Sequence, residues 1–168
     1  MRYKYCPVCA NKLATRIPEN EIIERQVCGK CGFVFYDNPK PACGVLVVDD
    51  NQKILLAKRK YPPAVGEWTL PAGFMEIGEG PDECAIRETF EETGLHIKLN
   101  GVFNAYKGGD DPRHAVVLIV YLAEVISGEI IPGDDVSEAG YFDINNIPVP
   151  IAFSSNEEAI AEYRARYL

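Results

Sequence analysis

At 168 residues, with 47% hydrophobic and 25% charged residues, the chain is sized for one ordinary domain plus a small appended module, and its composition excludes intrinsic disorder. A net charge of −8 argues against sequence-independent binding to nucleic acid, in which Lys and Arg must neutralise phosphates. No apolar run approaches the ~20 residues of a membrane span, and residues 1–6 lack the apolar core of a secretory signal. The expected location is therefore cytoplasmic and the expected partner a small molecule, with no nucleic acid, no membrane, and a homodimer allowed.

The N-terminal stretch carries Cys6-Pro7-Val8-Cys9 and Cys28-Gly29-Lys30-Cys31, two C-x-x-C knuckles with eighteen residues between them. That spacing predicts a zinc ribbon, in which Cys6, Cys9, Cys28 and Cys31 bind one Zn²⁺ and the metal supplies folding energy that so small a core cannot. Two redox C-x-x-C pairs are the rival reading, disfavoured by the paired knuckles with Gly29 and Gly32 at the second turn. A closed four-thiolate site leaves no coordination position for a substrate, so its role is structural. Residues 21–27 alternate weakly and Phe33-Val34-Phe35-Tyr36 is aromatic and β-branched, which predicts a few short antiparallel strands. The Asp37-Asn38-Pro39-Lys40-Pro41 punctuation divides a ribbon at residues 1–37 from a larger domain at 38–168.

In that domain Cys43-Gly44-Val45-Leu46-Val47-Val48 reads as a buried strand, Asp49-Asp50-Asn51-Gln52 as a hairpin turn, and residues 53–59 as the strand returning to pair with it. A proline-bearing loop leads to Trp68, expected to pack in the core. Pro81 at the first helical position, Asp82 and Glu83 in the first turn, and Gly94 beyond the last turn predict a helix over Pro81–Thr93. Its periodicity puts Glu88, Glu91 and Glu92 on one face and Ile86, Phe90 and Thr93 on the opposite, packed face. Strands are expected near residues 96–103, 116–124, 128–131 and 139–142, then a helix over about 157–166 after Ser154-Ser155-Asn156. The class is α+β. Cys43 reads as a small buried residue, Cys84 as a small residue on the acidic side of the helix one turn before Glu88, with a nucleophilic role the lesser alternative, and His96 and His114 as surface histidines.

Three carboxylates at i, i+3 and i+4 repel one another, each like-charge pair costing an isolated helix roughly 0.2–0.5 kcal/mol. A divalent cation turns that repulsion into a site: carboxylate oxygens suit Mg²⁺ or Mn²⁺, and a metal among them can clamp a pyrophosphate. An E-x-x-E-E run alone is usually a solvated helix face. Here Gly73, Glu79, Arg87, Glu88, Glu91, Glu92 and Gly94 together stand at G-x5-E-x7-R-E-x-x-E-E-x-G, a coincidence expected about once in 10⁸ from ordinary residue frequencies. Gly73 and Gly78 would let backbone approach the site, and a carbonyl at Ala72 or Gly73 is a candidate additional metal ligand.

This pattern resembles the signature of the Nudix hydrolases, with Thr89 standing where the family usually has an aliphatic residue and placed by the helix reading at the edge of the packed face. The resemblance implies an α/β/α sandwich with a mixed sheet, here preceded by a small β zinc ribbon, and metal-dependent cleavage of a nucleoside diphosphate derivative. It implies that Glu88, Glu91 and Glu92 hold catalytic metal and that Arg87 pairs with Glu79. Ser137-Glu138-Ala139-Gly140-Tyr141-Phe142 is similar to a late E-A-x-W/Y-F stretch, which carries over Glu138 as a metal ligand or general base delivered from a loop, with Asp134 and Asp135 weaker candidates. A ribbon joined to this box resembles the group that includes NADH, FAD and ADP-ribose pyrophosphatases. Residues 104–112 lack the S-Q-P-W-P-F-P-x-S stretch of the NADH enzymes, so an AMP-containing substrate such as FAD or ADP-ribose is expected, releasing AMP. The alternatives are NADH pyrophosphatase, nucleoside triphosphate clean-up, or a non-catalytic nucleotide-binding module, the last opposed by retention of every box glutamate. Phe74, Tyr106 and Phe153 are the candidate rings for stacking on a base, with core packing the competing role.

Overall fold

The computed structural model describes residues 3–108, 110, 115–133 and 135–168. By its internal contacts the chain divides into two compact units, Met1–Asn38 and Pro39–Leu168. The first is a three-stranded antiparallel sheet of β1 (Leu13–Arg16), β2 (Arg25–Cys28) and β3 (Val34–Phe35). Its buried cluster is small, Cys6, Leu13 and Cys28 with Cys9 and Phe33 against them. So little apolar surface cannot by itself offset the ordering of the segment.

The second unit contains β4 (Lys40–Val47), β5 (Lys53–Arg59), β6 (Trp68–Thr69), β7 (Ala72–Phe74), α1 (Pro81–Thr93), β8 (Leu95–Gly108), β9 (Val116–Gly128), β10 (Val136–Asp143) and α2 (Ser154–Tyr167). Four strands form a mixed sheet in the order β7-β4-β9-β8, in which only β4 and β9 run parallel. The other three form an antiparallel sheet in the order β10-β5-β6. On β4, Ala42 and Leu46 join the core cluster that includes Ile160 of α2, while Cys43, Val45 and Val47 join the one that includes Ala85 of α1. Ile54 and Leu56 against Leu55 split the same way on β5. Side chains alternate across a strand, so a strand covered on both faces must read as a continuous apolar run. That run is the sandwich seen from the sequence, and truncating a buried Leu such as Leu46 would cost about 2–5 kcal/mol.

Four expectations need correction. The 49–52 turn forms, with Asp49 Oδ1 accepting from the N–H groups of Asn51 and Lys53, but only Val48 and Ile54 pair across it. β4 and β5 then diverge because each finds its partners in a different sheet. Residues 128–131 make no strand of their own: β9 ends at Gly128, and the N–H groups of Ile131 and Gly133 bond instead to the carbonyls of Thr93 and Glu92 at the end of α1. α2 begins at Ser154, earlier than the sequence suggests, because the Ser154 N–H is capped from a distance by Asp110 Oδ2 at 2.6 Å. The boundaries of α1 agree with the sequence, and Gly94 closes it in the left-handed conformation at φ 73° with its N–H on the Phe90 carbonyl.

The last correction concerns the faces of α1. Its buried residues are Cys84, Ala85, Thr89, Glu92 and Thr93, while Ile86 and Phe90 are exposed. Small side chains let the helix lie close to the sheet, and Thr89 and Thr93 satisfy their hydroxyls on the carbonyls of Ala85 and Thr89, one turn back. Thr89 is therefore at the centre of the packed face. Phe90 stacks instead on the exposed His96, ring centroids 4.7 Å apart. Glu92 goes inward with the small residues, which brings two of the three carboxylates against β7.

Candidate active site

The site is built where α1 meets β7 and the loop that follows it. Gly73 has no side chain because the Glu88 carboxylate occupies that space: a Cβ there would stand 2.0 Å from Glu88 Cδ. One residue earlier, the Ala72 N–H donates to Glu92 Oε2 at 3.0 Å. Gly78, at φ 89°, turns the loop back toward the helix. Gly80 then caps α1, its N–H donating to Glu83 Oε2 at 2.8 Å.

Arg87 ties loop and helix together. Its Nε and Nη2 grip the two oxygens of Glu79 at 2.7 and 2.9 Å, Nη1 reaches Glu88 at 2.8 Å and Glu91 at 2.9 Å, and Nη2 also bonds the Phe74 carbonyl at 3.1 Å. Paired forks of this kind fix orientation as well as charge. Hydrogen bonds from Arg87, then from the Glu76 N–H, draw the Glu79 carboxyl down to about 2.

The neighbouring carboxylates move the other way. Burial raises Glu88, opposed by Arg87 and assisted by the charges of Glu91 and Asp135. Glu92, 3% exposed, is raised well above the ordinary carboxylate range, first by burial and then by Asp135. Glu91 is on the exposed side, its carboxylate held by Arg87 alone among its recorded partners. With Arg87 largely matched by Glu79, the remaining carboxylates are in excess, an arrangement that favours a cation. Hard oxygen donors beside bare backbone suit a hard divalent ion, the role expected of Glu88, Glu91 and Glu92, although the structure does not gather one oxygen from each within 4.8 Å of the others.

Glu138 does not sit on a loop. It lies in β10, just past an irregularity between Val136 and Glu138, exposed and 3.4 Å from Lys58 Nζ. The late acid whose charge raises both Glu88 and Glu92 is Asp135, which the sequence analysis placed behind Glu138. Asp134 and His114 lie outside the described residues. Cys84 is fully buried, its thiol pushed up to about 12 by burial and then by Cys43, so it offers no thiolate nucleophile.

Beside Gly73 opens a cleft of about 390 Å³, lined by Ala42, Arg59, Pro62, Pro63, Thr69, Ala72, Gly73, Phe74, Gly108, Asp110, Val116, Leu118, Phe153, Ser155 and Asn156. Phe74 and Phe153 belong to it, and Tyr106 does not. Tyr106 is buried in the core with its hydroxyl on Glu162 Oε2 at 2.5 Å, because β8 runs on to Gly108 and turns that ring toward α2. Phe153 holds a left-handed φ of 65°, unusual for a bulky residue, with the Arg59 guanidinium 5.1 Å from its ring centre. Trp68 is core, edge-on to Phe142 at 4.6 Å.

In the ribbon the four predicted thiols come together: Sγ atoms of Cys6, Cys9, Cys28 and Cys31 lie within 4.8 Å of one another. Nearest separations of 3.5 and 3.6 Å approach the ~3.8 Å edge of a tetrahedron with Zn–S near 2.3 Å. N–H groups of Cys31 and Lys30 pull Cys28 down to about 6. Among the described residues no other set of three or more Cys, His, Asp or Glu gathers its ligand atoms so tightly.

Known family models match most of the chain. A model described as NUDIX domain matches residues 38–163, and one described as Nudix N-terminal, a zinc ribbon, matches residues 4–37. The chain is 44% identical over 132 residues to a protein of Methanocaldococcus jannaschii named ADP-ribose pyrophosphatase, covering 78% of this chain and 76% of that one. It is 32% identical over 156 residues to the NAD-capped RNA hydrolase NudC of Chromobacterium violaceum, covering 90% of this chain and 56% of that one, so it spans about half the length of such relatives. The crystal structure of a Nudix hydrolase from Nitrosomonas europaea superimposes with a TM-score of 0.85 at 32% identity, covering 98% of this chain and 92% of that one. Box, fold and ribbon agree, and the chain belongs to the Nudix hydrolase family.

Proposed function

We propose that the chain hydrolyses the pyrophosphate bond of an AMP-containing nucleoside diphosphate derivative, with ADP-ribose ahead of FAD, and releases AMP. The observation that carries this is the juxtaposition at Gly73: the surplus carboxylates of buried Glu92 and partly buried Glu88 on one side, and on the other an aromatic-walled cleft large enough for a base. The relative named ADP-ribose pyrophosphatase supports the substrate class.

Glu88, Glu91 and Glu92, with the Gly73 carbonyl, would hold Mg²⁺ or Mn²⁺, which when bound lowers the pKa of water and neutralises charge on the diphosphate. Water adds to one phosphorus, the bridging P–O bond breaks, and two monophosphates leave with the proton passing to solvent. Arg87 keeps the Glu88 and Glu91 carboxylates aimed by holding Glu79 at the loop. Asp135 is our preferred late carboxylate for steering the attacking water, since its charge reaches Glu88 and Glu92, and Glu138 is the second choice. Phe74 and Phe153 stack on the base, each such contact worth roughly 1–3 kcal/mol. Cys6, Cys9, Cys28 and Cys31 hold structural Zn²⁺.

NADH hydrolysis is the second reading, favoured by the NudC relatives that match across the ribbon as well as the box. The net charge of −8 supports a small substrate over RNA, and we place the protein in the cytoplasm. No helix of the described residues is long and apolar enough to cross a membrane. Comparing kcat/KM for ADP-ribose, FAD, NADH, diadenosine polyphosphates and nucleoside triphosphates tests the proposal: ADP-ribose or FAD leads. A lead of about tenfold for triphosphates, about 1.4 kcal/mol of transition-state preference, overturns it.

A further inference from the structure

Asn156 lines the cleft, is 2% exposed, and carries the one buried side-chain polar atom among the described residues without a hydrogen-bond partner, its Oδ1. Which end of the amide is free follows from its neighbours. Thr69 spends its hydroxyl proton on the Leu70 carbonyl at 3.0 Å, so toward Asn156 its oxygen can only accept. The Ala152 carbonyl can only accept as well. Asn156 Nδ2 donates to both, at 2.9 and 2.7 Å. Both amide protons are committed and the opposite orientation would set oxygen against oxygen, so the amide presents an acceptor.

A buried acceptor with no donor is a marked departure from how protein interiors are built. The walls around it include Phe74, Phe153 and the Pro62 and Pro63 rings, and the polar groups beside them are engaged within the protein: Arg59 Nε on the Pro63 carbonyl, the Thr69 hydroxyl on the Leu70 carbonyl and the Asp110 carboxylate on Ser154. Apolar planes shaped for an aromatic ring, with an unpartnered acceptor among them, match a heteroaromatic base that bears an exocyclic amine.

We infer that Asn156 is a specificity residue of the cleft, whose Oδ1 accepts a hydrogen bond from the exocyclic amine of the substrate's base. This rests on the proposed hydrolysis and deepens it: the base is read as 6-aminopurine by a carbonyl that Thr69 and Ala152 hold in place. A base without a donor there leaves the acceptor unpaired and is rejected, whereas a purely apolar cleft would treat the two bases alike. Ribose hydroxyls share the donor chemistry, so the test separates them from the base.

The full-length chain is assayed with ADP-ribose, with its analogues carrying hydrogen or oxygen in place of the 6-amino group, and with the analogue lacking the 2′-hydroxyl of the adenosine ribose. Wild type prefers the amino compound to the 6-hydrogen compound by about tenfold or more in kcat/KM, and Asn156→Leu and Asn156→Ser bring the two within about threefold of each other. Calorimetric binding of AMP against purine riboside monophosphate gives the same ranking in wild type alone, which keeps the test independent of whether a variant folds and of whether the chain turns over ADP-ribose. Equal handling of the 6-amino and 6-hydrogen compounds by wild type overturns the inference, as does a preference that survives in both variants. Loss confined to the 2′-deoxy analogue assigns the acceptor to ribose and overturns the base reading. If wild type hydrolyses none of the ADP-ribose series, the proposed function has failed, and the monophosphate comparison still decides what Asn156 reads.

Discussion

Gly73→Ala isolates the close approach on which the site depends. The added methyl carbon would stand 2.0 Å from Glu88 Cδ and 2.2 Å from each of its oxygens, and ordinary contact begins at 3.4 Å, so the carboxylate must retreat by about 1.4 Å. Gly73 does not have a left-handed φ, so alanine brings no backbone strain there. The damage is confined to the position of one carboxylate, which Arg87 Nη1 holds at 2.8 Å. Misplacing a catalytic group by ~1 Å costs on the order of 10²-fold, so kcat with saturating metal and ADP-ribose should fall about 100-fold, roughly 2.7 kcal/mol. The melting temperature should change by only a few degrees. Glu88→Asp shortens the side chain by about 1.5 Å, which makes room for the methyl. Gly73→Ala should therefore cost little in the Glu88→Asp background, a non-additivity expected only of groups in contact. Gly73→Ala activity within about threefold of wild type would refute the placement of Glu88, and so would full additivity in the double variant.

Glu91→Gln and Glu92→Gln should each lower turnover by orders of magnitude while the fold survives, and without metal Glu92→Gln should melt at or above wild type because it neutralises a crowded buried carboxylate; near-normal activity in both removes the metal-site assignment. Protein purified without added zinc should retain one tightly bound ion, and once a chelator has removed it Cys6, Cys9, Cys28 and Cys31 should react with thiol reagents while buried Cys43 and Cys84 stay protected until denaturation. Absence of bound metal together with free reaction of the ribbon thiols in native protein would show the ribbon reading to be wrong. Tyr106, then Asn104, depress the Glu162 carboxyl below its reference value of 4.5, so its stabilising contribution is present above that pH and lost as pH falls through the lower folded value. Glu162→Gln should accordingly lower the melting temperature near neutrality and lose that effect in acid, and an unchanged difference at both pH values would contradict the linkage.

The ligand helix was legible because its signals are local: Pro81 and Gly94 bracket α1, and the box carboxylates follow at helical spacing. Its packing was not, since apolarity assigns Ile86 and Phe90 to the interior when the close-packed stripe is the small set Cys84, Ala85, Thr89 and Thr93. Small residues one and two turns apart, sharing their stripe with Glu88 and Glu92, were the available signal. Tyr106 looked like a ring for a base because nothing nearby reveals that β8 continues to Gly108 and meets Glu162, fifty-six residues on. Glu138 came first on resemblance, and the proximity of the Asp135 charge to Glu88 and Glu92 depends on the three-dimensional fold. The cleft depends on contacts such as Asn156 with Thr69, eighty-seven residues apart. In the sequence Asn156 was only a helix-start residue.

Incubating the full chain with ADP-ribose and Mg²⁺ or Mn²⁺, and quantifying products over time, tests most directly whether the Glu88, Glu91 and Glu92 cluster is a pyrophosphate-cleaving centre. AMP and ribose 5-phosphate should appear in equal amounts, stop on addition of a chelator, resume when the divalent ion is restored, and fall by orders of magnitude in Glu92→Gln. Intact ADP-ribose under those conditions, or equal release by Glu92→Gln, would contradict it.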